Sequence, residues 1–78
     1  MKKSKNGYNA VIETAENNYY IELENTWSKK YDFTVYSEGD AIWNIGYQFK
    51  KLKKSDFTSC VLDFLNAFKI RDFQFMDY

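Results

Sequence analysis

Apolar side chains recur at every second position through most of the first fifty residues, and this period limits the folds open to the chain. The alternating sets are Ala10, Ile12 and Thr14; Tyr19, Ile21 and Leu23; Tyr31, Phe33 and Val35; and Trp43, Ile45, Tyr47 and Phe49. A period of two is that of a β-strand, in which successive side chains point to opposite faces of a sheet. The pattern predicts four strands, each with one apolar face.

The connections between these segments predict an antiparallel meander, because residues on one face must lie opposite each other across a hairpin. An even-numbered loop near residues 16–17 and a three-residue loop at residues 38–40 both satisfy this condition. The second loop contains a glycine, which readily adopts the positive φ of a tight turn. The opposite pairs predicted in this way are Ile12 with Ile21, Glu13 with Tyr20, Val35 with Trp43, and Tyr36 with Ile42.

After the strands, the apolar period changes to that of a helix. Apolar residues recur every three or four positions at Phe57, Cys60, Val61, Phe64, Leu65 and Phe68. Ser55 or Asp56 precedes this stripe and is a suitable N-cap. The helix must lie on the sheet, because burial of its own stripe does not offset the entropy cost of ordering it.

The predicted fold is therefore an α+β domain, a four-stranded antiparallel meander followed by one amphipathic helix packed on one sheet face. Residues 1–7 are predicted to be a basic N-terminal tail, and residues 8–78 a single small α+β domain. Alternation returns at Phe73 and Phe75, so residues 71–78 fit either a short fifth strand or an extended arm.

Composition argues against catalysis and against a bound metal. The 78 residues include no histidine and one cysteine, which excludes an imidazole base, a Cys–His pair and a zinc cage of thiolates. Glu22 and Glu24 share one strand face at about 6.6 Å, but a chain of this length has little left beyond its core to build a substrate pocket. We expect no enzyme, no metal and no cofactor, and we expect Cys60 in the core. No apolar run approaches the roughly 20 residues of a membrane span, so no membrane association is expected.

The sheet face opposite the helix is predicted to carry carboxylates and tyrosine but no lysine. Its predicted members are Val11, Glu13, Tyr20, Glu22, Glu24, Asp32, Thr34, Tyr36, Ile42, Asn44 and Gln48. Such positions are often simply solvated. However, residues 6–28 hold four Glu and no Lys or Arg, and tyrosine is enriched in interface cores. The pattern favours a face that docks on a basic protein through Glu13, Tyr20, Glu22, Glu24, Trp27, Asp32 and Tyr36.

Two features of this prediction have alternatives. Trp27 lies in a predicted loop, where it is either an exposed anchor or a cover over the edge of the core. Lys50, Lys51, Lys53 and Lys54 form a basic cluster between the last strand and the helix. The cluster fits phosphate binding, extended by other lysines, or a solvated loop in which lysine discourages edge pairing. Ten lysines against one arginine are poorly suited to specific base recognition, where arginine is favoured.

The run Lys30-Tyr31-Asp32-Phe33, within a four-stranded sheet followed by a helix, resembles the single-stranded-DNA-binding transcriptional coactivators over residues 30–68. The resemblance implies a shared order of elements, and by itself it does not transfer function. The acidic sheet face departs from the basic platform that single-stranded nucleic acid requires.

These features lead us to expect a small cytosolic protein that occludes a basic, nucleic-acid-handling protein with its acidic sheet face. Nearly half of the chain is Asn, Lys, Tyr, Phe, Ile or Met, a composition typical of AT-rich genomes. This composition and the short length favour a phage or mobile-element inhibitor of the anti-CRISPR or anti-restriction type. Such an inhibitor would act on a nuclease or defence complex in the host cytoplasm. The alternatives are a single-stranded nucleic-acid-binding protein that uses the lysine cluster and the aromatic tail, as a monomer or a homodimer, and a toxin-neutralising immunity protein.

Overall fold

The computed structural model describes residues 1–76, so Asp77 and Tyr78, the end of the predicted tail, lie outside the described residues. Within residues 1–76 the chain forms six strands and one helix. Their bounds are β1 (Lys2–Ser4), β2 (Gly7–Glu13), β3 (Asn18–Trp27), β4 (Lys30–Ser37), β5 (Asp40–Gln48), α1 (Lys54–Ala67) and β6 (Gln74–Met76). The α+β class is confirmed, with six strands in place of the predicted four.

All six strands belong to one antiparallel sheet, in the order β1-β2-β3-β4-β5 with β6 also paired to β2. β1 pairs with residues 7–9 of β2, and β6 pairs with residues 11–13, so the two short strands share one edge. The basic segment 1–7 is therefore not a tail, because its residues 2–4 are part of the sheet. The C-terminal alternation through Phe73 and Phe75 corresponds to a strand rather than an arm.

The register between β2 and β3 differs from the prediction by two residues. The observed pairs are Ala10 with Ile21, Val11 with Tyr20, Ile12 with Tyr19, and Glu13 with Asn18. Thr14, assigned to the strand in the prediction, instead closes a four-residue loop, where its hydroxyl accepts a hydrogen bond from the Asn17 N–H at 3.0 Å. A shift of two residues leaves every side chain on its predicted face, so the assignment of faces survives the error.

The turn between β4 and β5 is shorter than predicted, and a bulge compensates for the difference. Glu38 and Gly39 form a two-residue turn with φ values of 53° and 87°, the positive values that a tight hairpin favours. The irregularity at Ile42 then restores the predicted opposition of Val35 and Trp43. Tyr36 consequently lies opposite Ala41 rather than Ile42.

The ends of α1 are set by residues that the sequence prediction did not choose. The N-cap is Lys53, not Ser55 or Asp56, and its backbone N–H donates a hydrogen bond to Asp56 Oδ2 at 2.9 Å. At the other end, the Ile70 N–H donates to the Leu65 carbonyl at 2.9 Å, while Lys69 adopts a φ of 56°. This pattern is a Schellman motif, with lysine at the left-handed position that usually holds glycine.

The core lies between the sheet and the helix. Its helical members, Phe57, Cys60, Val61, Phe64 and Leu65, are buried as predicted, whereas Phe68 is 41% exposed. The sheet contributes Ala10, Ile12, Tyr19, Ile21, Leu23, Phe33 and Val35. Burial raises the pKa of the Cys60 thiol to about 11, which keeps it protonated and poorly nucleophilic at neutral pH. Within residues 1–76, no helix has both the length and the apolar character needed to cross a bilayer.

Candidate protein-binding face

The helix packs on one side of the sheet, and within residues 1–76 no helix or strand packs on the other side. Strand pairing aligns the outward residues in rows, Val11 with Tyr20 and Tyr36; Asn9 with Glu22, Thr34 and Asn44; and Gly7 with Glu24, Asp32 and Gly46. The surface named here the acidic tyrosine face consists of Glu13, Tyr20, Glu22, Glu24, Asp32 and Tyr36. Five of these predicted residues lie side by side on β3 and β4, whereas Glu13 lies apart at the end of β2.

Tyr20, Tyr36 and Glu22 form a connected group on this face. The rings of Tyr20 and Tyr36 lie 6.0 Å apart with a tilt of 36°. The Tyr36 hydroxyl donates a hydrogen bond to Glu22 Oε1 at 3.1 Å. This hydrogen bond and the negative charge of Glu22 raise the pKa of the Tyr36 phenol above its ordinary value. The phenol therefore stays protonated at neutral pH and remains a donor to the carboxylate.

A shallow groove of about 550 Å³ lies beside the tyrosine pair. Its lining includes Val11, Tyr20, Glu22, Tyr36, Gly39 and Met76. Val11 is 8% exposed and Met76 is half-buried, and Glu22 and Glu38 also line the groove, so it combines apolar side chains with two carboxylates. The sequence analysis did not include Met76 in this face. Its outward position follows from pairing, because its neighbour Phe75 lies opposite Ile12 on the helix side.

Like charges lie opposite each other within the acidic tyrosine face. Glu24 on β3 is directly opposite Asp32 on β4, and a carboxylate pair in this position destabilises an antiparallel sheet. Across residues 1–76, no Lys or Arg nitrogen lies within 4.0 Å of an Asp or Glu oxygen. Within the described part of the chain, the repulsion between Glu24 and Asp32 is therefore not offset by a direct ion pair.

The prediction that this face carries no lysine is wrong. Lys30, the first residue of β4, lies opposite Gln48, and Lys2 of β1 lies opposite Asn9. Both lysines therefore lie on the same side of the sheet as the acidic tyrosine face. Lys30 joins the face because β3 and β4 continue to a tight turn at Ser28 and Lys29, and Lys2 joins it because residues 2–4 form a strand rather than a tail.

Trp27 does not cover the edge of the core, which was the second of its two predicted alternatives. It is 75% exposed and lies on β3 opposite Lys30, so it does not cover the core. The turn beside it is fixed by the Asn25 amide, which donates hydrogen bonds to the backbone oxygens of Ser28 at 2.8 Å and Lys30 at 3.0 Å. The indole is thus held out on a well-braced turn rather than on a loose loop.

Eight lysines gather at one end of the sheet, where the β1–β2 turn, the β3–β4 turn and the β5–α1 connection meet. We call this group the lysine end, and its members are Lys3, Lys5, Lys29, Lys30, Lys50, Lys51, Lys53 and Lys54. Hydrogen bonds join the three segments, from the Asn25 N–H to the Asn6 carbonyl and from the Phe49 N–H to the Lys29 carbonyl. The helix N-terminus points its positive dipole end toward this group and adds to its potential.

A cavity of about 370 Å³ opens in the lysine end. Lys3, Lys5 and Lys51 line it together with Tyr8 and Tyr31. Of the four lysines predicted to bind phosphate, Lys51 is therefore the one that joins N-terminal lysines around a cavity, while Lys50, Lys53 and Lys54 are exposed outside it. Topology rather than sequence proximity creates this group, because residues 3 and 51 meet only when β1 joins the sheet.

The described residues contain no cluster of three His, Cys, Asp or Glu side chains placed to hold a metal ion. Comparison of the chain with protein-family models, with curated proteins and with solved structures finds no significant match.

Proposed function

We propose that this chain is a non-enzymatic binding protein that docks on a basic protein through its acidic tyrosine face. The observation that carries the proposal is the direct opposition of Glu24 and Asp32, both exposed, on the sheet face away from the helix. Two carboxylates held side by side cost stability in the isolated chain. A cationic partner would relieve that cost on binding, which gives the arrangement a physical reason.

The tyrosines supply what carboxylates alone do not. Tyr20 is 41% exposed and lies 6.0 Å from Tyr36, so the pair offers a stiff aromatic surface beside the charges. Tyrosine contributes a large contact area at a small entropy cost, and an arginine can stack on its ring while it forks to a carboxylate. Trp27, exposed at the same side of the sheet, extends this contact. Arginine or lysine side chains on the partner are therefore the expected contacts.

The more specific form of the proposal is an inhibitor of a host nuclease or defence complex, of the anti-CRISPR or anti-restriction type. Proteins that handle nucleic acid present basic surfaces to the phosphate backbone. A rigid row of carboxylates with aromatic neighbours can occupy such a surface and exclude nucleic acid from it. The small size and the AT-rich character of the sequence support a phage or mobile-element source for an inhibitor of this kind.

We expect the double substitution Glu22→Lys and Glu24→Lys to abolish binding to a basic partner, because two attractive contacts become repulsive. The measurement is recovery of captured host proteins by the immobilised chain, followed by plating of a targeted phage on cells that carry a defined restriction or CRISPR system. Wild-type protein should restore plating, and the double variant should lose at least about 100-fold of that effect.

The matched control is the double substitution Glu16→Lys and Asp63→Lys. It changes the net charge by the same amount, but residue 16 lies in the loop between β2 and β3 and residue 63 on the helix, and both are exposed and apart from Glu22 and Glu24. The control should behave as wild type, and circular dichroism should show that both variants are folded. Equal recovery and equal plating for the wild type and the Glu22/Glu24 variant would refute the docking face.

A second candidate function, binding of single-stranded nucleic acid, is favoured by the cavity that Lys3, Lys5 and Lys51 share with two tyrosines. Gel-shift titration against an oligonucleotide should then show a log-linear loss of affinity from about 50 to about 200 mM salt. Changing all three lysines to Gln should reduce the slope of log affinity against log salt concentration by about two, since each phosphate contact contributes roughly 0.7.

The control for this second candidate changes Lys2, Lys69 and Arg71 to Gln, removing the same charge outside the lysine end. If no oligonucleotide shifts at low salt, the chain does not bind nucleic acid. An equal reduction of the salt slope in both triple variants would likewise contradict binding at the lysine end.

A further inference from the structure

The two edges of the sheet are built differently. One edge is divided between β1 and β6, each three residues long, and β1 carries two lysines. The other edge is β5, which is nine residues long and contains no lysine, arginine or proline. Natural sheets protect their edges with charges, proline or short strands, because open backbone groups pair with other chains. In the described part of the chain no strand pairs with the free edge of β5. Beyond the bulge, residues 43–48 of this strand are regular.

The apolar core is incomplete along this same edge. Trp43, Ile45 and Tyr47, the helix-facing residues of β5, are all half-buried, whereas on β2, β3 and β4 the helix-facing apolar residues are buried except Tyr8 and Tyr31 near the strand ends. Phe68 at the end of the helix has its ring 5.6 Å from that of Trp43 and is 41% exposed. Ile42, at the bulge of the same strand, is 37% exposed. The unprotected strand is therefore bordered by exposed apolar surface.

We propose that β5 pairs antiparallel with β5 of a second copy of this chain, around a twofold axis at Ile45. This register uses the regular segment of the strand and places Trp43 opposite Tyr47 of the second copy. Aromatic pairs directly across antiparallel strands stabilise a sheet. The axis keeps both helices on one side of a continuous sheet and both acidic tyrosine faces on the other.

The separation of charge along the molecule identifies the occupant as a second copy in this orientation. The lysine end lies at one end of the sheet, and the β4–β5 turn at the opposite end carries Glu38 and Asp40. Antiparallel neighbours bring the lysine end of each copy beside the acidic turn of the other. A parallel neighbour would instead bring the two lysine ends together, which is repulsive.

Sedimentation velocity of the purified chain tests this proposal. The expected species has twice the 9.4 kDa mass of the chain. Ile45→Lys places two ammonium groups opposite each other on the axis and should weaken association by about 100-fold or more. Ile45→Thr, neutral and β-branched, should preserve the dimer. Wild-type protein that stays monomeric up to about 1 mM would overturn the proposal, as would an Ile45→Lys variant that still dimerises.

Disulfide trapping tests the register independently of any charged variant. Ile45→Cys should oxidise readily to a covalent dimer, because opposite residues of an antiparallel pair are about 4.5–5.5 Å apart at Cα. Gly46→Cys should not, because its two copies would lie roughly 8 Å apart, beyond disulfide reach. Equal trapping at both positions would overturn the axis. These experiments use the purified chain alone, so their failure leaves the proposed docking of the acidic tyrosine face intact.

Discussion

Phe64→Ala is expected to lower the free energy of unfolding by about 3–5 kcal/mol. The Phe64 ring is fully buried and contacts three aromatic neighbours, Tyr19 at 5.5 Å, Trp43 at 6.1 Å and Phe68 at 4.7 Å between centroids. Its removal opens a cavity where the helix meets the sheet. A chain of this length has a total stability of about 4–12 kcal/mol, so the loss removes a large share of it and the variant should unfold at a much lower urea concentration than the wild type. Urea denaturation followed by tryptophan fluorescence measures the loss.

Phe68→Ala is the matched control for this prediction. The same ring is removed one helical turn later, where 41% of it is already exposed. The expected loss is about 1 kcal/mol, because less apolar area returns to water and no closed cavity forms. Both proteins should be compared at low protein concentration, so that self-association does not contribute. Equal losses for the two variants would contradict the packing described here.

Gly7→Ala is expected to cost about 3 kcal/mol or to prevent folding, although it adds a single methyl group. A Cβ at residue 7 would overlap the backbone oxygen of Leu23 in the neighbouring strand. Backbone cannot move aside as a side chain can, so the pairing of Gly7 with Glu24 must break or β3 must shift. The measurement is the denaturation midpoint, or the loss of the sheet signal in circular dichroism if the variant does not fold.

Gly46→Ala provides the contrast within the same sheet. A Cβ at residue 46 meets no atom within 4 Å, and alanine is favoured over glycine in a strand by about 0.5 kcal/mol. We therefore expect a small gain in stability at position 46 and a large loss at position 7. A comparable loss at both positions would show that the constraint on Gly7 is not steric.

The faces of the sheet were predictable because a period of two depends only on the order of residues along each strand. Register was less predictable, because it depends on loop chemistry that alternation does not reveal. The Thr14 hydroxyl closes a four-residue loop and shifts β2 against β3 by two residues. The bulge at Ile42 and the two-residue turn at Glu38 and Gly39 cancel each other, which is why Val35 lies opposite Trp43 as predicted.

The short edge strands were harder to anticipate. Residues 2–4 contain no apolar side chain, so β1 has no alternation to detect and forms only because β2 offers an open edge. The cavity in the lysine end depends on that pairing, and for this reason its residues were not grouped from sequence. The acidic tyrosine face, in contrast, follows from alternation in β3 and β4 alone, and five of its six residues lie together there.

The lack of close ion pairs within residues 1–76 has a practical consequence for the folded state and its complexes. Sodium chloride screens attraction between separate charged surfaces, while the fold described here is held by burial and backbone pairing. Raising the ionic strength should thus dissociate a complex well before it unfolds either component. Elution with a salt gradient is accordingly a gentle way to recover intact protein from an electrostatic complex.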